Sequence, residues 1–509
     1  MSAINRRYFL VGLGATGFLV AACSAGESPT TQISRITARP FEGRLPIPAL
    51  APSTVQDGVR QFSLRATRGD TEIIAGTPTP TWGYNGSMLG PTLRARRGET
   101  VAVTVDNQLP ETTTCHWHGM HLPARFDGGP HQPIEPGAQW RPSWTIDQPA
   151  ASLWYHPHPH GATLRHVYRG LAGMFLIDDD ESDRLGLPNT YGVDDIPVIV
   201  ADHKFTPDGA LDESDPDDIG LLGDTIATNG LAGAYFDVST RRLRLRLLNA
   251  SVGRVYNIGF GDGRPFVLVA SDGGLLEKPA SLTRIQLSPA ERAEIVVDLN
   301  PGEPVMLHAF PIDEWPDETF RQRFGYADSF DILELRPGQQ LRDSPPLPAV
   351  LATLPAADAP ADARRREFRL QRGTDANGKN NFTINDQLMD MNRIDFDVPE
   401  GSVEIWEVTG RDRVWPHNFH VHNAQFRILD MAGEAPPPEL AGWKDTVFIY
   451  PQTTVRFAVR FNGHGDPVNP FMYHCHLLFH EDTGMMGQFR VVPPGQPTPP
   501  GTAHPMPHG

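Results

Sequence analysis

The chain has 509 residues, 39 % of them hydrophobic, enough for packed cores in about three domains of ordinary size, which excludes a disordered polymer. Its 44 Lys and Arg against 61 Asp and Glu give a formal charge of −17. No cationic surplus is left to neutralise phosphates, so a nucleic-acid partner is not expected.

In chain order, Asn5-Arg6-Arg7-Tyr8-Phe9-Leu10 is followed by an apolar run over 11–22, short for a membrane span, and then by Cys23. The paired arginines resemble a twin-arginine export signal, with Asn5 where Ser or Thr is usual. Val20-Ala21-Ala22-Cys23 resembles a lipoprotein processing site. The expectation is an export signal and flexible segment over 1–35. It sends an already folded protein to the periplasm or the outer face of the cell membrane, with Cys23 as a candidate lipid anchor. An uncleaved anchor helix is the alternative. Of the three cysteines, Cys23, Cys115 and Cys475, the last is needed as a metal ligand, so no intramolecular disulfide is expected and Cys115 reads as a small buried residue.

Short alternating or apolar runs follow, among them Thr100-Val101-Ala102-Val103-Thr104-Val105, Leu243-Arg244-Leu245-Arg246-Leu247 and Val455-Arg456-Phe457-Ala458-Val459. With 49 prolines and 48 glycines in the turns between them and no long helical periodicity, they predict β-sandwich domains. Asn85-Gly86, Asn229-Gly230 and Asn385-Asp386 recur at domain-sized separations and predict three of them. The expected boundaries are 36–190, 191–344 and 366–495, with an Ala/Pro-rich linker over 345–365 and a flexible tail over 496–509. Between 195 and 365 the only histidines are His203 and His308, so the middle domain is expected to be a metal-free spacer.

Four segments hold eleven of the 19 histidines: His116-Trp117-His118, His156-Pro157-His158-Pro159-His160, His417-Asn418-Phe419-His420-Val421-His422, and His474-Cys475-His476 with His480 and Met485 beyond. In an extended strand residues i and i+2 share a face, so each His-X-His pair offers two imidazoles to one place. Cys475 then points the other way and belongs to a separate site. His417, Cys475 and His480, with Met485 as a weak axial ligand, suit a blue-copper centre better than zinc.

The run from His474 to Met485 resembles the copper signature of multicopper oxidases, a family of three consecutive cupredoxin-like Greek-key domains that includes laccases, bilirubin oxidases and bacterial copper-efflux oxidases. The resemblance covers essentially the mature chain and implies four copper ions. Type 1 copper falls to His417, Cys475, His480 and Met485, and type 2 to His116 and His420. The type 3 pair falls to His118, His156, His158, His422, His474 and His476, and His160 matches a non-ligand position. Glu481 and Asp127 match carboxylates that relay protons, although Asp127 alone would read as a turn residue. The implied activity is one-electron oxidation of a donor coupled to reduction of dioxygen to water, by a monomer.

The third domain is similar to copper-efflux oxidases through Phe382-Thr383-Ile384-Asn385 and Met391-Asn392-Arg393-Ile394-Asp395-Phe396. Those enzymes use a methionine-rich insertion and an Asp/Met pair before the first type 1 histidine. This chain has no methionine between Met306 and Met389, and Arg413-Val414-Trp415-Pro416 stands where that pair would be. Arg413 disfavours Cu⁺ and Trp415 offers an aromatic surface, so a laccase-like oxidase of phenolic or other aromatic donors is expected. Equally, Arg413 reads as a solvated loop charge and Trp415 as a core residue. A cuprous-ion oxidase stays open, given His504, Met506 and His508 in the tail. So does a non-catalytic cell-envelope protein, since some relatives keep the scaffold but lose copper.

Overall fold

The computed structural model describes residues 36–215, 219–357 and 359–496. The export signal, Cys23 and the tail residues His504, Met506 and His508 lie outside the described residues. Among the described residues, no helix is long and apolar enough to cross a membrane.

Among the described residues, six sheets pair into three β-sandwiches, each enclosing its own core. The first joins a sheet carrying Val59–Ile74 and Thr100–Asn107 to one carrying Leu93–Arg96, His116–His118, Ala151–His156 and Gly173–Asp178. The third joins a sheet with Arg365–Thr374, Val403–Gly410 and Thr454–Arg460 to one with His417–Val421, Phe471–His474 and Met486–Val492. The predicted alternation is plain in Thr100–Asn107, where Val101, Val103 and Val105 fill the core while Thr100, Ala102 and Thr104 stay half-buried. In Arg242–Asn249 the polar face is buried as well. Arg244 and Arg246 pair there with Asp195 and Glu294, and Arg246 also donates to Ser152 of the first domain.

The asparagine repeat marks equivalent corners of the three sandwiches. Asn85, Asn229 and Asn385 all take left-handed backbone, with φ of 59°, 50° and 53°, which asparagine tolerates well. Each side chain staples the first long strand of its domain by accepting one N–H and donating to the carbonyl two residues earlier. The partners are Arg65 and Ser63 for Asn85, Ile199 and Pro197 for Asn229, and Arg369 and Glu367 for Asn385.

Two of the expected boundaries shift. Gly43–Arg44, assigned to the first domain, pairs in parallel with Ala234–Thr240, and Leu45 packs in the second core. The segment read as a linker lies along the second domain: Leu351 is buried in that core and its N–H donates to the Glu277 carbonyl at 2.9 Å. Its leucines supply the reason, because Leu347 and Leu351 are apolar enough to seat against the sandwich where Ala and Pro alone would not be.

Candidate metal centre

The histidine motifs of the first domain meet because their strands are antiparallel neighbours, with His116 opposite His156 and Trp154 opposite His118. In the third domain His420 lies opposite His474. The i, i+2 geometry holds within a strand only for His116 and His118; His158, His422 and His476 lie just past the ends of theirs. All eight rings still converge, none more than 1 % exposed. Rings of the two domains interleave, His116 stacking on His422 at 3.9 Å and His118 on His420 at 3.7 Å.

Most of these rings are oriented through the nitrogen that faces away from the centre. His116 Nδ1 donates to the Asp127 carbonyl and His420 Nδ1 to the Asp445 carbonyl, both at 2.8 Å. His422 Nδ1 donates to Asp127 Oδ2 at 2.7 Å, His118 Nε2 to Asp445 Oδ1 at 3.1 Å and His156 Nδ1 to the Pro157 carbonyl at 2.9 Å. Glu481 sits between two more rings, with Oε2 3.0 Å from His474 Nδ1 and Oε1 3.4 Å from His158 Nδ1. Asp127 and Asp445 thus play matching parts, each holding one histidine by its carbonyl and another by its carboxylate. Gly128 makes the turn after Asp127: its φ is +76°, and a Cβ there would stand 1.8 Å from the Cys115 carbonyl oxygen.

Burial drives these imidazoles to the neutral form, holding His116, His118, His156, His420, His422 and His476 well below the ordinary histidine value and His158 at about 4. With one nitrogen committed outward, the inward nitrogen presents a lone pair. Such atoms face one another: His474 Nε2 is 3.1 Å from His158 Nε2 and 3.2 Å from His422 Nε2, and His156 Nε2 is 3.4 Å from both His118 Nδ1 and His476 Nε2. His116 Nε2 and His420 Nε2 are buried without a hydrogen-bond partner. Facing acceptors repel, and cations seated among them remove the repulsion. The nitrogens group as His118, His156 and His476; as His158, His422 and His474; and as His116 and His420 with His118 shared, each group spanning under 4.8 Å. Two three-imidazole sites beside a two-imidazole site fit the implied type 3 pair and type 2 ion.

On the other face of the third domain, His417, Cys475 and His480 form a separate buried group. Cys475 Sγ is 3.5 Å and His417 Nδ1 3.2 Å from His480 Nδ1. Met485 is fully buried in the same core, its N–H donating to the His480 carbonyl and its carbonyl accepting from the Cys475 N–H. Burial pushes the Cys475 thiol up to about 12, so the thiolate needs a cation against it, and a thiolate between two imidazoles is a donor set that fits copper. Phe382 stacks on His480 at 3.7 Å.

Sequence reading missed four supporting residues. Asp412 accepts from His417 Nε2 at 2.9 Å, fixing which nitrogen of that ring faces Cys475. The Asn418 N–H donates to Cys475 Sγ, and Asn418 Oδ1 accepts from the His476 N–H at 2.5 Å, tying the two sites together. Asp445 and Thr446 support His118 and His420. The available signal was proximity to a ligand motif: Asp412 is five residues before His417, and Asn418 directly follows it.

Arg413 is exposed, whereas Trp415 is 5 % exposed and packs among Phe324, Phe382 and His480, so its ring presents no face to solvent. Trp415→Ala is therefore expected to cost about 3–5 kcal/mol of stability, read by chemical denaturation, rather than to change donor affinity alone. His160 is exposed and Cys115 is buried with a free thiol.

Two multicopper oxidase family models match the chain, one over residues 65–182 and the other over residues 361–495. A multicopper oxidase, mco, of Staphylococcus haemolyticus is 35 % identical over 441 residues, 86 % of this chain and 89 % of that protein. The cell division protein FtsP of Salmonella typhimurium is 36 % identical over 497 residues, 96 % and 99 % of the two chains. The crystal structure of a laccase from Pediococcus acidilactici superposes with a TM-score of 0.81 at 36 % identity, over 90 % of this chain and 95 % of that one. Sandwich architecture and histidine centre together define a three-domain cupredoxin-type protein whose clustered side chains fit copper. The chain belongs to the multicopper oxidase family.

Proposed function

We propose that the chain is a catalytic multicopper oxidase of laccase type, oxidising aromatic donors one electron at a time and reducing dioxygen to water. The carrying observation is the complete set of inward-facing imidazole nitrogens beside a buried His-Cys-His group. In this reading His417, Cys475, His480 and Met485 hold type 1 copper, His116 and His420 hold type 2, and the remaining six histidines hold the type 3 pair. When bound, the four coppers supply one-electron acceptance at the cysteine site and four-electron reduction of dioxygen at the three-ion site. The residues do the rest. Cys475 is joined through its own backbone to His474 and His476, and Asn418 adds a second bridge between the sites. Asp127 and Glu481 relay protons from opposite starting points, the first as an acid and the second as a base. Burial raises the Asp127 carboxyl well above the usual range, whereas burial of Glu481 is outweighed by His158 and His474, which hold it well below.

The donor reaches the type 1 edge on the side of His417 and His480. Arg413, an exposed charge four residues before His417, would favour anionic aromatics. Arg413→Glu is expected to raise KM for a carboxylated phenol a few-fold at low salt while leaving a neutral phenol unchanged, measured by steady-state oxygen uptake. A cuprous-ion donor is favoured by one observation, the Asp412 carboxylate bonded to His417. A cell-division role is favoured by the similarity to FtsP. Copper-loaded protein separates the three: blue absorption with phenol turnover independent of added copper supports the laccase reading. Turnover only on Cu⁺ overturns it for the metallo-oxidase. Protein that takes up no copper overturns both oxidase readings.

A further inference from the structure

The second domain carries none of the ligands, yet its strand Arg292–Asp298 opens on a side chain that reaches the ligands' support. Arg292 is buried at 1 % exposure and all five of its guanidinium N–H groups are used. Nη1 and Nη2 donate to the two Asp445 carboxylate oxygens at 2.8 and 2.6 Å. The others donate to the carbonyls of Ser152 in the first domain (2.9 Å), Ala290 (3.1 Å) and Asp272 (2.9 Å). Asp445 in turn accepts from His118 Nε2 with the oxygen that Nη1 holds, and from His420 Nδ1 with its carbonyl. Behind this fork Lys444 bridges Asp272 and Glu291 at 2.9 and 2.8 Å. Asp127, the matching aspartate, pairs among the described residues only with histidines.

We propose that Arg292 is a positioning residue of the three-ion centre: by gripping Asp445 bidentately it sets His118 and His420, so the metal-free domain is an obligatory part of the copper site. A guanidinium matches a carboxylate in one plane with two parallel bonds, which an ammonium does not reproduce. His118 and His420 belong to different domains, and their stacked rings are both held by Asp445. The inference rests on the copper reading, and its test is arranged to tell the two apart.

Full-length Arg292→Lys, which keeps a buried cation but loses the fork, and Arg292→Ala are compared with wild type. In metal-free protein, nitrogen NMR is expected to find His118 protonated at Nε2 in wild type and altered in both variants, whatever metal the site takes. After copper loading, the blue absorption per protein is expected to stay at the wild-type level. The type 2 electron paramagnetic resonance signal is lost or reshaped, and oxygen uptake falls by roughly 10–100-fold. Guanidinium ion partly restores the signal in Arg292→Ala. A wild-type His118 resonance, type 2 signal and turnover in Arg292→Lys overturn the proposal, as does parallel loss of blue absorption, which marks general unfolding. A wild type that takes up no copper overturns the copper reading instead, and the metal-free NMR comparison still decides the positioning of His118.

Discussion

Cys475→Ser is expected to be colourless after copper loading and to turn over donor more slowly by on the order of a thousandfold or more, while retaining the signals of the three-ion centre. In the proposed type 1 site Cys475 supplies the thiolate beside His417 and His480, and it is flanked in the chain by two of the converging histidines, His474 and His476. A serine hydroxyl is a poor ligand for that ion, so bound copper should fall from about four per chain to about three. The eight converging imidazoles do not include residue 475, and the near-ultraviolet shoulder expected of the type 3 pair should persist. Optical titration and copper analysis check this. Blue absorption surviving in Cys475→Ser would remove the cysteine from the proposed type 1 site.

Glu481→Gln is expected to leave the blue absorption intact and to slow oxygen reduction by roughly 10²–10⁴-fold, the range in which a positioned acid or base contributes. Glu481 is 1 % exposed, and its two oxygens sit against His158 and His474. An amide of the same shape fills that space without carrying a proton. The variant should also respond differently to acid. The folded-state value of Glu481 is depressed, so its contribution to the stability of the metal-free protein is present above the ordinary value of 4.5 and lost as pH falls through the folded value. Glu481→Gln should therefore be the less stable protein near neutrality, with the gap closing in acid; thermal melts of both metal-free proteins measure it. Loss of colour with unchanged turnover per copper would refute the relay role.

The histidine clusters were legible because His-X-His pairing needs only local geometry, and the asparagine corners because one backbone conformation recurs three times. The residues that orient the rings were not. Asp445 faces His118 from more than 300 positions away, and Arg292 reaches it from another domain. No local pattern links such residues, and the middle domain's shortage of histidines pointed away from any part in the site. Trp415 misled for a related reason: it lies in the loop before the His417–Val421 strand, and closeness in sequence to a ligand says nothing about whether a loop side chain turns into the core. The linker and the Gly43–Arg44 strand were misassigned because pairing across domains leaves no signal in composition.

The interleaved rings also carry a meaning for biosynthesis. Partners such as His156 and His476 lie 320 residues apart, so no nascent chain that ends before the last sandwich contains the whole of the proposed three-ion site. Loading must wait until the last sandwich is made and docked. Ions bound there would act as a clasp between the chain's two ends, closing a loop far longer than most disulfides do. Copper withdrawal should therefore show first as loosening between the terminal sandwiches, before either one melts on its own.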